Sequence, residues 1–328
     1  EPTVTDADLV LGYLNPDYFL GGEMQLDLAG ATSAIQRGVA EPLNVSAPEA
    51  ARGVYEVVNE NMANAAGVKA AEKGVDLRDY TLLAFGGAAP AHAWDVARRL
   101  YMRRVMVPPA AGVLSALGCL LSPLSFDFVF GYLHELDHVR WDRVNSAYAD
   151  LERQGRRWLA EAGAGDEIGV HRLADMRYLG QRYEVSFPLP TSGPLGAEHL
   201  PAIKETFYEA YRQQYGREIH EVPVEAVSWR LTVVGPRPFA GEWSPRLIGN
   251  EGGTSGSGGA GPKGRRPVYF PGAGGYLDCA VYDRRALAPG VRLDGPAIVE
   301  DRESTTVVPP DAWADVDELN SLVIELGR

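Results

Sequence analysis

The segment Phe85–His92, with the sequence FGGAAPAH, most constrains the fold, because it lies between an apolar stretch and a helical pattern. Residues 81–85 (TLLAF) predict a short, buried parallel strand. Residues 91–102 place apolar side chains at helical spacing, and Pro90 suits the first turn of a helix. Two glycines at such a turn let a backbone approach a ligand closely, and the helix N-terminus directs amide N–H groups towards it. The segment therefore fits a nucleotide-binding turn, although many ordinary β–α turns share its pattern.

The residues that follow extend this turn into an α/β unit. Residues 104–107 (RVMV) predict another buried strand, which ends at Pro108 and Pro109, and residues 111–122 predict a helix rich in small residues. The order strand, glycine turn, helix, strand, helix is typical of α/β folds, in which ligands bind beyond the carboxyl ends of the strands.

Farther along the chain the pattern changes, and we predict a domain boundary at residue 130, with residues 1–130 in one domain and 131–328 in the other. In the first, Ser46 and Glu49 form a capping box that begins a long helix. The second combines helices with β structure. The elements predicted there are helices at 141–162 and 199–215, and strands at 176–189, at 224–235 and from residue 266. Residues 250–264, rich in Gly and Ser, predict a linker or surface loop.

Several segments together resemble one protein family. FGGAAPAHAWDVARRL and RRVMVPPAAGVLSALGCLL resemble the signature of the hydantoinase A/5-oxoprolinase family, which includes the ATPase subunits of acetone and acetophenone carboxylases. The opening EPTVTDADLVLGYLNPDYFLGGEMQLD is similar to another family segment, and the likeness continues in RYLGQRYEVSFPLP, FYEAYRQQYG, VEAVSWRLTVVG and LDGPAIVEDRESTTVVPP. These segments are spread over nearly all 328 residues.

The resemblance implies an α/β chain: the C-terminal part of an ATPase fold of the actin, acetate kinase and sugar kinase type, followed by a β-rich α+β domain. In that fold the glycine turn contacts the ribose and phosphates of ATP, which assigns Gly86, Gly87 and Ala88 to the nucleotide. Asn61, on the preceding helix, would flank the adenine. Ala89 stands where the family commonly has Gly, and if that Gly adopts a positive φ, Ala would cost about 1 kcal/mol.

The resemblance also implies that part of the ATP site is missing. The two phosphate-binding Asp-x-Gly-Gly-Thr hairpins of the family precede the segment TVTDA, and this sequence contains neither. We therefore expect the chain to be the C-terminal half of such a protein, from a split gene, a cleaved precursor or a cloned fragment, and to be inactive alone. The expected cofactors are ATP and Mg²⁺, shared with the missing half. The expected partners are that N-terminal half and a B-type hydantoinase or carboxylase subunit, which could hold a metal of its own.

Two residues are candidate catalytic groups. His92 lies in the first turn of the helix after the glycines, where it would contact nucleotide or substrate. The alternative is that it only forms a hydrogen bond with a neighbouring loop. Asp6 would position a Mg²⁺-bound water near the missing hairpins, or would cap a helix.

This chain itself is not expected to hold a metal. His134 and His138 have the i, i+4 spacing of helical metal ligands, but a solvated polar face is favoured for them. Cys119 and Cys279 are expected to be buried thiols rather than a disulfide or zinc site.

Three functions remain open. The first is a subunit of an ATP-dependent cyclic amide (lactam or imide) hydrolase of the hydantoinase or oxoprolinase type, in which phosphorylation of the carbonyl oxygen activates the ring. The second is a subunit of an ATP-dependent ketone carboxylase. The third is a non-catalytic subunit that docks on a complete ATPase.

Composition restricts the partners. The formal net charge of −13 argues against nucleic acid or an anionic membrane as a partner. The sequence has no apolar run of the roughly 20 residues that span a bilayer, and no signal-peptide pattern at its start. We expect a cytoplasmic location and a small-molecule substrate.

Overall fold

The computed structural model describes residues 1–238 and 261–327, which form two compact units. The first unit contains residues 1–119 together with residues 261–327, and the second contains residues 120–238. The C-terminal residues therefore belong to the same unit as the N-terminal ones, and a strand near the C-terminus pairs with the strand at residues 104–107. Residue 130, the boundary suggested by the sequence, lies inside a continuous strand.

Eight α-helices occur in the part of the chain that the structure describes. They are α1 (Val4–Val10), α2 (Leu28–Ile35), α3 (Glu41–Leu43), α4 (Ala47–Glu72), α5 (Ala89–Arg99), α6 (Leu114–Leu121), α7 (Trp141–Glu161) and α8 (Leu200–Tyr215). None of them is both long enough and apolar enough to cross a membrane.

The same described residues contain thirteen strands. They are β1 (Thr81–Leu83), β2 (Arg104–Val107), β3 (Ser125–Glu135), β4 (Gly169–Tyr178), β5 (Val185–Pro188), β6 (Val224–Val234), β7 (Gly264–Phe270), β8 (Gly275–Asp283), β9 (Arg292–Asp294), β10 (Ala297–Glu300), β11 (Thr305–Val308), β12 (Ala312–Val316) and β13 (Leu322–Leu326). The prediction of a mixed α/β chain is confirmed. The Gly/Ser-rich loop falls mostly outside the described residues.

The first unit contains two sheets. One has the order β1-β2-β13-β12-β9 and the other the order β11-β10-β8-β7. β1 runs parallel to β2, as predicted. The prediction that β1 is buried is wrong, because β1 is an edge strand and Leu83 keeps 50% of its surface exposed.

The second unit is an antiparallel sheet, β3-β6-β4-β5, against which α7 packs closely. Trp229 of β6 is fully buried and makes edge contacts with the rings of Trp141 and Tyr148 on α7. Gly155 of α7 lies against the sheet, where a Cβ atom would come within 2.7 Å of Val233 Cγ2. The absence of a side chain there sets the distance between helix and sheet.

Local sequence signals located most helices correctly. The hydroxyl of Ser46 accepts from the Glu49 amide while the Glu49 carboxylate accepts from the Ser46 amide, so the predicted capping box begins α4. The helices predicted at 141–162 and 199–215 are α7 and α8. The predicted helix at 111–122 is a 3₁₀ turn followed by α6, whose residues are all at least partly exposed.

Candidate functional site

The glycine turn connects β1 to α5 and is tied to the chain segment that follows β2. The Ala84 amide donates to the Met106 carbonyl at 2.8 Å, and the Gly86 amide donates to the Ala111 carbonyl at 2.7 Å. Gly86 has a φ of 102°, which side-chain-bearing residues rarely adopt.

Ala88 is the N-cap of α5 and gives the helix no side-chain acceptor. No side chain caps the start of α5, where Pro90 has no amide proton and the Ala91 amide donates to the Ala88 carbonyl at 3.0 Å. An anion at this helix start would therefore be held by the helix dipole and by the amides that precede Pro90.

Residue 89 is helical in this turn. Ala89 is the first residue of α5, and the non-glycine residues with positive φ do not include it. The cost anticipated for Ala at this position therefore does not arise.

A cavity of about 170 Å³ lies beside this turn, entirely within the first unit. Gly87 and Ala88 form one part of its wall, and residues 300–305 form another. The remaining lining residues come from α1, α5 and the segment after α1: Thr5, Asp8, Leu14, Asn15, Tyr18, Phe19, Leu20 and Ala91.

Two glycines allow residues 300–305 to pack against the turn. A Cβ on Gly87 would lie 3.2 Å from the Glu303 carbonyl oxygen, and one on Gly112 would lie 2.9 Å from that same oxygen. Larger side chains at either position would force this wall of the cavity to move.

A hydrogen-bonded chain of buried side chains ends at the cavity. His92 Nε2 lies 3.1 Å from Asp8 Oδ2, and His92 Nδ1 lies 2.8 Å from Asn59 Oδ1. The Asn59 amide nitrogen donates to Asp95 Oδ2 at 2.7 Å, and Arg99 Nε donates to the same oxygen at 2.8 Å. Because the Asp95 carboxylate can only accept, the Asn59 oxygen must face the ring, so His92 Nδ1 is a donor.

His92 itself lies behind the cavity wall. His92 is 4% exposed, and its imidazole stacks on the Tyr55 ring with a centroid distance of 4.8 Å. The Tyr55 hydroxyl donates to the Ala91 carbonyl at 3.1 Å, and burial raises the pKa of Tyr55 well above its usual range, which keeps this donor neutral. His92 is not among the residues that line the cavity, whereas its partner Asp8 is.

Asp8 is a cavity residue that was not predicted from the sequence. Asp8 as a whole residue is 3% exposed, and its Oδ1 has no hydrogen-bond partner in the described structure. The sequence contained one usable signal, an acidic residue among the apolar and small residues of the helical segment TDADLVL, at a position that would otherwise be part of the buried face.

The other candidates occupy different positions. Asp6 Oδ2 accepts from the Thr3 amide at 2.8 Å and from the Thr3 hydroxyl at 2.7 Å, which completes a capping box at the start of α1. Asn61 is exposed on α4. Neither of them, nor Gly86, lines the cavity, whereas Gly87 and Ala88 do.

The described residues contain no group of three or more His, Cys, Asp or Glu side chains suited to a metal ion. His134 belongs to β3 and His138 to the 3₁₀ turn that follows, so the two do not share a helix. Cys279 is buried and free as expected, and burial raises the pKa of its thiol to about 11. The expectation that Cys119 is buried is wrong, because it lies on α6, which has no buried residue.

Comparisons with known proteins give consistent results. The model of the hydantoinase/oxoprolinase family matches residues 1–127, and that of the hydantoinase/oxoprolinase C-terminal domain matches residues 135–325. The chain is 32% identical, over 97% of its length, to caprolactamase subunit alpha of Pseudomonas jessenii, and 30% identical, over 99%, to the acetophenone carboxylase gamma subunit of Aromatoleum aromaticum. It covers 45% of each of these two relatives.

A solved structure resembles the whole chain. The crystal structure of ATP-dependent caprolactamase from Pseudomonas jessenii superposes with a TM-score of 0.74 at 30% identity, over 100% of this chain and 47% of the other. This chain therefore spans less than half the length of the relatives that it matches.

Proposed function

Because this chain belongs to the hydantoinase/oxoprolinase family, we propose that it contributes the adenosine side of the ATP site to an ATP-dependent cyclic amide hydrolase. The observation that carries the proposal is the cavity beside the glycine turn, where Gly87 and Ala88 meet the uncapped start of α5. Backbone amides at such a start attract phosphate oxygens, and glycine permits close approach.

The charges around the cavity indicate which part of the nucleotide it would receive. Asp8, Asp301 and Glu303 line it, and carboxylates repel phosphate oxygens. The one cationic side chain among the described lining residues, Arg302, is already paired with Glu23 and Glu303. We therefore assign the cavity to the sugar of the nucleotide. The phosphates would lie outside the cavity, beside the start of α5. Since the described residues hold no cluster suited to a metal, Mg²⁺ would enter with the triphosphate.

The proposed reaction is phosphoryl transfer followed by hydrolysis. The lactam or imide oxygen takes the γ-phosphoryl group and ADP leaves. Water then attacks the activated carbon, and the C–N bond breaks as the nitrogen takes up a proton. The resulting acyl phosphate is hydrolysed by a second water to a carboxylate and phosphate. Catalysis of such transfers depends on positioning and on charge stabilisation. In this proposal Gly86, Gly87 and Ala88 hold the nucleotide, whereas Asp6 and His92 support the site from the capped start of α1 and from behind the cavity wall.

Two alternatives have support of their own. The likeness to the acetophenone carboxylase gamma subunit is nearly as strong as that to caprolactamase subunit alpha, which favours a ketone carboxylase subunit as the second candidate. A non-catalytic assembly subunit is the third, supported by the exposed apolar surface of α6.

We further propose that the chain acts together with the N-terminal half of the ATPase, in the same polypeptide or in another, and with a B-type subunit. The surface of α6 supports a partner, because this apolar helix buries none of its residues and leaves Leu120 65% exposed. Exposed apolar surface of this kind is typical of an interface.

The test uses the complex purified through an affinity tag on this chain from the cells that encode it. Release of phosphate from ATP should depend on a lactam or cyclic imide; dependence on a ketone with bicarbonate would instead establish the carboxylase.

The variant Gly87→Asp places a charged side chain against the Glu303 carbonyl and should lower ATP turnover at least tenfold. Gly272→Asp, at an exposed glycine with no atom within 4 Å of where a Cβ would lie, is the control and should keep full turnover. Full turnover in Gly87→Asp would eliminate the nucleotide role and leave the assembly subunit.

A further inference from the structure

We propose that Asp8 accepts a hydrogen bond from a ribose hydroxyl of the nucleotide, with His92 and Asn59 as the positioning residues that orient its carboxylate. This inference rests on the proposed function, and it names the group that recognises the sugar.

The first step is the unsatisfied oxygen. Asp8 lines the cavity and is 3% exposed, yet its Oδ1 has no partner among the described residues. Buried polar atoms in folded proteins are nearly always hydrogen-bonded, and an unsatisfied one costs stability. A ligand that brings a donor into the cavity would remove that cost.

The second step is the fixed orientation of the carboxylate. Asp8 Oδ2 is committed to His92 Nε2, whose ring is set by Asn59 on one side and by stacking on Tyr55. Asn59 is in turn set by Asp95. Because every other polar group in this hydrogen-bonded network already has a partner, Asp8 Oδ1 is the acceptor that remains for a ligand. A preorganised acceptor binds a donor without further ordering cost.

The third step is the choice of donor. The hydrogen-bond donors of ATP are the two ribose hydroxyls and the 6-amino group of adenine. Gly87 and Ala88, at the start of α5, line the same cavity as Asp8. The helix start favours the phosphates, and the ribose is bonded directly to them, whereas the 6-amino group lies at the far end of the base. The vicinal diol is therefore the donor that fits.

The experiment compares ligands on the purified complex by equilibrium binding. The probes are ATP, 2′,3′-dideoxy-ATP and purine riboside triphosphate, which lacks only the 6-amino group. Wild type should bind ATP about tenfold or more tightly than the dideoxy analogue, as expected for a hydrogen bond to a charged acceptor.

Asp8→Ala should reduce that ratio to about one, since the acceptor is lost. Asp294→Ala removes the same charge from an exposed residue of the first unit that does not line the cavity, and should keep the wild-type ratio. His92→Phe, which still stacks on Tyr55 but leaves the carboxylate unheld, should lower the ratio by a smaller factor. Because both affinities in a ratio are measured on the same variant, a general loss of nucleotide affinity leaves the ratio unchanged.

If Asp8→Ala does not fold, Asp8→Asn replaces it in the experiment, because asparagine keeps the shape of the side chain. Its neutral amide oxygen is a weaker acceptor and should lower the ratio of affinities for ATP and the dideoxy analogue. If the Asp8 variants keep the wild-type ratio of affinities for ATP and the dideoxy analogue, the ribose contact is overturned. The proposed function is not affected by that outcome, provided that ATP still binds. The contact is also overturned if the Asp8 variants change the ratio of affinities for ATP and purine riboside triphosphate. The same holds if they change only the dependence of nucleotide binding on Mg²⁺. If wild type binds no adenine nucleotide, the proposed function and this inference both fail.

Discussion

His92 Nε2 lies 3.1 Å from Asp8 Oδ2, although 84 residues separate the two in the chain. The contact joins α5, which follows the glycine turn, to α1 at the start of the sequence. His92 also contacts Asn59 on α4, so a single imidazole connects three helices of the first unit. The geometry of the cavity therefore depends on buried polar contacts as well as on the surrounding apolar core.

Asn59→Leu should destabilise the protein by about 1–3 kcal/mol, because the His92 and Asp95 groups would lose their partner while buried. The control is Asn64→Leu on an exposed turn of the same helix, which should change the free energy of unfolding by less than about 0.5 kcal/mol. Urea denaturation measures both. Equal, small effects would contradict the buried network.

Two glycines within helices should respond in opposite directions to alanine. Gly53 of α4 has no atom within 4 Å of a potential Cβ, so Gly53→Ala should stabilise the protein by up to about 1 kcal/mol through helix propensity. At Gly155 of α7 a Cβ would lie 2.7 Å from Val233 Cγ2 and 3.0 Å from Phe128 Cε2. Gly155→Ala should therefore lower the melting temperature despite the same gain in propensity. A rise in both variants would show that α7 has room to move.

The sequence predicted those parts of the fold that local signals determine. Ser46 and Glu49 predicted the start of α4, and the period of apolar residues predicted α7. The burial of β1 was predicted wrongly because its neighbours in the sheet are chosen by long-range pairing: β13 lies beside β2, more than two hundred residues away, and leaves β1 at the edge. Exposure of Cys119 was missed for a similar reason, since an apolar helix looks buried until its packing is known.

The candidate site was only partly accessible to sequence reasoning. Gly87, Ala88 and His92 follow from a local motif and a resemblance. Asp8 does not, because its importance arises from a contact with His92 and from an oxygen without a partner. Neither property can be read from the order of residues.

The two thiols should differ in reactivity. Alkylation of the native chain with iodoacetamide at pH 8 should modify Cys119, which is exposed, and spare Cys279, which is buried with a thiol pKa raised to about 11. Mass spectrometry should therefore find one label per native chain and two per denatured chain. Cys119→Ser should remove native labelling, and a label on native Cys279 would contradict its burial. In the purified complex the labelling of Cys119 should slow if the partner covers α6.

Burial of Cys279 also predicts a dependence of stability on pH. Its thiol pKa rises from an ordinary 9.0 to about 11 in the folded chain because burial disfavours the thiolate. Below pH 9 both states keep the proton and the thiol has no effect. Between pH 9 and pH 11 the unfolded chain loses the proton first, so stability should fall as pH rises. Cys279→Ala should make this decline shallower in urea titrations at several pH values, whereas Cys119→Ser should leave its slope unchanged.

Residues 86 and 89 have opposite conformational requirements within the same turn. Gly86 has a φ of 102° with open space around a potential Cβ, so Gly86→Ala should cost about 1–2 kcal/mol through backbone strain alone. Ala89 is the first residue of α5, and Ala89→Gly should destabilise by up to about 1 kcal/mol because glycine loses more backbone entropy in a helix. Denaturant unfolding of both variants tests the pair. Stabilisation by Ala89→Gly would mean that alanine is strained there, and the backbone of the nucleotide turn would then differ from the one described.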